Sequence, residues 1–188
     1  MNERPTRRFS QAIAEGDGIS VVARVTGTAD AEAAERAGAD ALLAAAGVDA
    51  LRDACDLPVL CGDEGSPGAD AYVLHAGHGD DELLRRYYDV VDRGEECVVQ
   101  VDDEEELERV LELLDPEIVL LVGNDENGER VDHVLRLLPD VPAGKLVVAD
   151  TGATRRDEVA GLERVGVDAV IVAAADVASL VGDEPPDV

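Results

Sequence analysis

The sequence predicts an α/β protein, a minimal (β/α)8 TIM barrel, on three observations. Short apolar runs alternate with helical stretches along the chain, at intervals of roughly 20 to 25 residues. Eight such runs are present, enough to close a parallel barrel. The apolar residues, 46% of 188, are mostly Ala, Val and Leu, with one Phe, three Tyr and no Trp. Small aliphatic side chains suit repetitive βα layers better than a core built around large aromatics. A doubly wound open sheet shares this periodicity and is the alternative.

Taken in order, the predicted strands cover residues 19–25, 41–45, 57–60, 71–74, 96–101, 118–122, 145–149 and 167–172. Helices are predicted over 30–38, with Asp30 as N-cap, and over 48–55. A further helix at 80–92 opens with two acids at its positive end. The stretch 102–114 spaces Leu107, Val110, Leu111 and Leu114 along one face, and helices at 131–138 and 155–165 complete the set. Two helices fall short. Only the turn-rich 62–70 segment, GDEGSPGAD, joins the third and fourth strands. After the eighth strand, 176–181 allows about one and a half turns. The reading is one domain over 1–188, with an N-terminal segment at 1–18 and a polar tail at 182–188, below the ~200 residues usual for the fold. The missing helices should leave apolar flanks bare near strands three, four and eight, and a homodimer is expected to cover them.

Charge narrows the partners. Asp and Glu number 43 against 16 Lys and Arg, a formal net charge of −27, and Lys145 is the single lysine. Such a surface repels itself in dilute buffer, whereas molar salt cuts the Debye length to roughly 3 Å. Acids spread along the whole chain therefore point to a salt-rich cytoplasm rather than to an acidic tail for basic partners. The same charge argues against nucleic acid and anionic membranes. Cys55, Cys61 and Cys97 lack CxxC spacing, as expected of reduced thiols in a cytoplasm. No apolar run follows the polar, Arg-bearing start in the manner of a signal sequence, and none is long enough for a membrane span.

Four segments carry a family resemblance. FSQAIAEGDGISVVARV (9–25), LPVLCGD (57–63), VVQVDDEEELERVLEL (98–113) and LVVADTGATRRDEVAGLERVGVDAVIVAAAD (146–176) resemble, in order and spacing, the corresponding segments of indole-3-glycerol phosphate synthase. The resemblance implies a short helix before the first strand and a site at the C-terminal ends of the strands. It also implies ring closure on a phosphorylated, opened-ribose substrate by a lysine acid, a carboxylate base and a phosphate cradle. At the matching positions the family's glutamate and lysine of strand one become Arg24 and Thr26. Its strand-three arginine and lysine become Cys61 and Gly62, its strand-five glutamate Gln100, and its strand-six asparagine Val122. Asp150 and Thr151 echo the strand-seven Glu-Ser pair. Gly152 persists, and the strand-eight Gly-Glu pair reads Ala173 and Ala174. Lys145 begins strand seven at the opposite end of the barrel, so no register shift supplies a catalytic lysine. An arginine holds its proton too tightly to replace one as an acid.

The remaining candidates at the mouth are Arg24, Thr26, Asp63, His75, Gln100, Asn124, Asp125, Asp150 and Thr151. Arg24 can clamp a phosphate or carboxylate; a salt bridge to Asp150 or Asp63 is the plainer expectation. The loop TGATRR (151–156) precedes a helix, so its amides with Gly152, Arg155 and Arg156 can hold an anion, although alanines at 173–175 crowd the other side. His75 and His78, with Cys61 or Asp63, approximate a zinc shell, but HxxH without a second fixed pair is more simply a solvated loop. Cys61, with no visible base beside it, reads as a buried inert thiol. Neither metal nor cofactor is expected. Two functions fit: a non-catalytic barrel that binds a small anionic metabolite or a protein, or a divergent lyase or isomerase on a small phosphorylated or carboxylated metabolite. In the second, Asp150 or Asp63 would be the base and Arg24 the clamp.

Overall fold

In the computed structural model, which describes residues 7–15, 18–62, 66–123 and 129–181, eight parallel strands pair in chain order and close into a barrel. The strands are β1 (Ser20–Val25), β2 (Ala41–Ala44), β3 (Val59–Cys61), β4 (Ala71–His75), β5 (Glu96–Val101), β6 (Ile118–Val122), β7 (Leu146–Asp150) and β8 (Ala169–Ala173). β8 closes on β1 with Ser20 opposite Ala169 and Arg24 opposite Ala173. Closure settles the choice between barrel and open sheet. The helices are α1 (Arg8–Ala14), α2 (Thr28–Arg36), α3 (Val48–Ala54), α4 (Asp80–Val91), α5 (Glu104–Leu113), α6 (Arg130–Leu137), α7 (Arg156–Arg164) and the four-residue α8 (Val177–Leu180). No helix is described between β3 and β4, as the sequence predicts. One start differs. Gly27, not Asp30, is the N-cap of α2; Asp30 sits in the first turn, where its carboxylate accepts from the Thr26 amide (3.0 Å) and hydroxyl (2.6 Å).

Strand alternation produces two cores. One joins Val22, Ala41, Leu60, Ala71, Val73, Val98, Ile118, Leu120, Val148, Ala169 and Ile171 to Phe9 and Ile13 of α1, with no other helix involved. This is the barrel interior, and α1 plugs its base. The second core takes the alternate strand positions and packs them under the helices. Phe9, the only phenylalanine in the chain, is fully buried, and Glu96 at the start of β5 accepts the Phe9 and Ser10 amides at 2.8 and 3.0 Å.

A repeated tetrapeptide builds the base of the barrel. Gly38-Ala39-Asp40-Ala41, Gly68-Ala69-Asp70-Ala71 and Gly166-Val167-Asp168-Ala169 open β2, β4 and β8, each with its glycine at φ between +88° and +96°. A side chain disfavours that conformation, so glycine lets the chain turn straight into the strand. Each aspartate then makes a two-bond clamp on the preceding strand. The Asp40, Asp70 and Asp168 amides donate to the carbonyls of Val21, Val59 and Val147 at 2.9 Å. Their Oδ2 atoms accept the amides of the same three residues at 2.7 Å. Before β6 the pattern is Asp115-Pro116-Glu117-Ile118, with Asp115 at φ 48° in the glycine's place. Lys145 steadies that turn, donating to the Asp115 carboxylate (2.6 Å) and the Pro116 carbonyl (2.8 Å).

The expectation of bare flanks is corrected. On the outer faces of β3 and β4, Val59, Cys61, Tyr72 and Leu74 are at most 1% exposed. In place of a helix, the Tyr72 hydroxyl donates to the Ser66 carbonyl at 2.8 Å and the Arg93 guanidinium lies 5.6 Å from the ring centroid. Arg52 ties the loop down through the Gly68 carbonyl and the Asp70 carboxylate. A single large aromatic and two arginines thus do what a helix does elsewhere, because a ring's area covers several small side chains. On β8, Val170 and Val172 are at most 2% exposed and belong to the same buried cluster as Val177 and Leu180 of the short α8. Among the described residues the flanks therefore show no bare apolar patch for the expected homodimer to cover. The large exposed apolar residues among those described are Tyr88, Val91 and Val165.

Candidate functional site

Alternation along the strands sends Arg24, Leu43, His75, Gln100, Val122, Asp150 and Ala173 to the rim of the interior, one layer above the apolar fill. Arg24 at the end of β1 reaches past Ala173 of β8 to the Asp150 carboxylate at the end of β7 in a short ion pair. A methyl group at Ala173 leaves room for the two to meet. Gln100 turns its amide to Asp102, Nε2 to Oδ1 at 3.1 Å. Thr26 serves the Asp30 interaction at the start of α2 and does not join the group. Leu43 and Val122 give part of the rim an apolar lining that has no acid–base chemistry. Asp63, Asn124 and Asp125 lie outside the described residues.

The loop after β7 is also engaged by its own side chains. Glu158 accepts the Thr154 and Arg155 amides at 3.2 Å each, occupying the positive end of α7. Arg155 pairs with Asp157 at 3.2 Å and Glu158 at 3.4 Å. Arg156 donates to the Ser179 and Val181 carbonyls, at 2.7 and 2.8 Å, so it fastens α8 rather than facing the mouth. Thr151 is 4% exposed, and its hydroxyl is the one buried side-chain polar atom among the described residues without a hydrogen-bond partner.

Neighbouring loops are pinned from the next helix along. Arg109 of α5 donates to the Ala76 and His78 carbonyls and the Asp80 carboxylate, holding the loop that follows His75 and carries His78. His133 of α6 holds the Asp102 carbonyl at 2.8 Å. Among the described residues no three His, Cys, Asp or Glu gather to hold a metal ion. Cys61 is fully buried, its thiol directed at the Ala45 carbonyl. Lys145 stands at the base, 11% exposed in its side chain, as the alignment of strand seven implies.

Arg130 was not a candidate from the sequence. Its backbone packs so close to Gly123 that a Cβ there would meet the Arg130 carbonyl at 2.8 Å, and its Nη1 lies 2.9 Å from where a Gly152 Cβ would be. Glycines at the ends of β6 and β7 were the available signal, since glycine often marks a close backbone approach; here both admit one arginine.

No family model matches the chain. It is 34% identical over 179 residues to the indole-3-glycerol phosphate synthase of Variovorax paradoxus, covering 87% of this chain and 64% of that enzyme. To the enzyme of the same name from Acidithiobacillus ferrooxidans it is 35% identical over 151 residues, covering 72% and 54%. This chain is a homologue of indole-3-glycerol phosphate synthases. The synthase-like barrel spans about half to two thirds of the length of those relatives. In structure it is similar to an N-acetylmannosamine-6-phosphate 2-epimerase from Clostridium perfringens (TM-score 0.70, 14% identity, 94% of each chain). It is also similar to a putative fructose-1,6-bisphosphate aldolase from Coccidioides immitis (TM-score 0.62, 15% identity, 91% of this chain and 81% of that one). These two likenesses concern the fold. No described helix is long and apolar enough to cross a membrane.

Proposed function

We propose that this synthase-like barrel is a non-catalytic member of its lineage, a ligand-binding or protein-interaction scaffold working in a salt-rich cytoplasm. One observation carries the reading: at the mouth, where the relatives' catalytic groups would stand, Arg24 is neutralised by Asp150, while the single lysine is committed to a turn at the other end. A ligand anion seeking Arg24 must first displace a covalently tethered carboxylate. The self-occupied start of α7 and the paired Arg155 weaken the phosphate cradle in the same way. An acidic surface argues against nucleic acid and anionic membranes as partners. With the flanks sealed, dimerisation has no driving surface there, and a dimer mass by light scattering in molar salt would point to another face.

The second reading, a divergent lyase or isomerase on a small phosphorylated or carboxylated metabolite, rests on the half-exposed Arg24 side chain beside Asp150. A deciding experiment is turnover of the synthases' ring-open substrate in multimolar potassium chloride, alongside a thermal-unfolding screen with that substrate, indole-3-glycerol phosphate and inorganic phosphate. The scaffold reading expects no turnover. Turnover that is lost in Arg24→Ala would overturn it and establish the second.

A further inference from the structure

Large apolar side chains are scarce on the described surface, and two of them stand together. Tyr88 (51% exposed) and Val91 (40%) sit one helical turn apart on α4, so they share one face. The chain has three tyrosines and one phenylalanine; Tyr72 is buried, and Tyr87 is half-buried and meets the Tyr88 ring edge-on, centroids 5.5 Å apart. Beside this pair a groove of about 390 Å3 runs under the starts of β5 and β6, with Tyr87, Val91, Cys97 and Ile118 as its apolar lining. Its charged lining is already answered. Arg7 pairs with Glu117, Asp115 with Lys145 and Glu95 with Arg93, while Glu96 accepts the Phe9 and Ser10 amides. An occupant therefore gains by removing apolar area from water rather than by bringing a charge.

Charge decides which partner can reach this face. Two copies of a chain at −27 repel each other wherever acid meets acid. The stretch 85–93, RRYYDVVDR, departs from that rule: Arg85, Arg86 and Arg93 stand against Asp89 and Asp92. Arg85 and Asp89, 3.3 Å apart and both mostly exposed, can exchange partners with the same pair on a second copy. We propose that this face is an isologous interface between two copies of this chain, α4 packing on α4 and Tyr88 of each copy entering the groove of the other over Val91. The symmetry is self-consistent, because a two-fold axis that brings one Tyr88 onto the second copy's Val91 also brings the second Tyr88 onto the first Val91. The groove volume falls within the usual range for small-molecule sites and so admits a phenol ring, and tyrosine is enriched at the cores of interfaces. A basic partner would find the carboxylates of the groove already paired, and an acidic one would face Glu95, Asp115 and Glu117 around it. The interface lies outside the mouth and does not depend on whether the mouth is catalytic.

Light scattering and sedimentation equilibrium of the whole chain in molar potassium chloride, over a wide range of protein concentration, test it. The expected result is a reversible dimer, with twice the chain mass at the upper end of the range. Tyr88→Ala and Val91→Asp should each raise the dissociation constant by about tenfold or more. Both positions are exposed in the single chain, so both variants should keep the parent's far-ultraviolet circular dichroism. Tyr88→Phe should retain the dimer. Val165→Asp, a charge placed at the third exposed apolar residue, should retain it too, which ties the contact to α4. A monomer mass at every concentration overturns the proposal. So does a dimer that Tyr88→Ala and Val91→Asp both leave intact, or one that Val165→Asp weakens as much as they do.

Discussion

The base and the mouth of this barrel are built by opposite rules. At the base, three aspartates enter strands at fixed positions after a glycine, and each bonds a neighbouring backbone twice. There Asp70 and Arg52 form an ion pair whose side chains are only 6% and 12% exposed. At the mouth the comparable pair, Arg24 and Asp150, is 51% and 25% exposed, and the two side chains meet each other. In barrels of this kind the base maintains the fold and the mouth carries the chemistry. Here the base is intact and specific. The mouth holds charges that mostly satisfy one another.

That contrast can be broken at several points. The largest effect should come from Phe9→Ala, which opens the plug of the interior and should cost about 3–5 kcal/mol by denaturant unfolding in molar salt. A loss below about 1 kcal/mol would mean α1 does not seal the base. Next, Asp70→Ala strands Arg52 in a nearly dry setting and frees the Val59 amide; a loss of about 3 kcal/mol is expected. Arg24→Ala, at the solvated end, should change stability by no more than about 1 kcal/mol. If the two ion-pair variants cost the same, the asymmetry between the ends is wrong.

The smallest expected effect concerns pH. Burial pushes the Asp40 carboxyl above its ordinary value, against the bond it accepts from the Val21 amide, which lowers it. The folded state therefore favours the protonated form more than the unfolded chain does. The contribution of this group is fully present below the ordinary aspartate pKa and is lost as pH rises through the raised folded value. Asp40→Asn, which can still accept the Val21 amide, should therefore gain stability relative to the parent as pH climbs across that window. Paired unfolding curves from the acid range to neutrality would show it, and a constant difference would refute the assigned cause.

Much of the architecture was legible beforehand. All eight strands, and a β3–β4 connection with no helix among its described residues, follow from apolar runs and turn residues, because a buried parallel strand must be continuously apolar. The Gly-Ala/Val-Asp-Ala repeat stood in the sequence as well, but its role in clamping adjacent strands needs the register to become visible. The sealed flanks were not legible. Tyr72 and Arg93 are 21 residues apart, and nothing local shows that one covers the other. Arg130 escaped for the same reason, since Gly123 and Gly152 come from different strands and only closure brings both against it.

By itself, then, the sequence determined the periodic frame, the sign of the surface and the place of the single lysine at the start of strand seven. These are properties of spacing and composition, which act along the chain. Tertiary structure alone decided which charges meet. It set Arg24 against Asp150 across β8, placed Glu158 over the start of α7, and left the Thr151 hydroxyl buried without a partner. Each depends on distances between strands and helices remote in sequence, fixed only when the barrel closes.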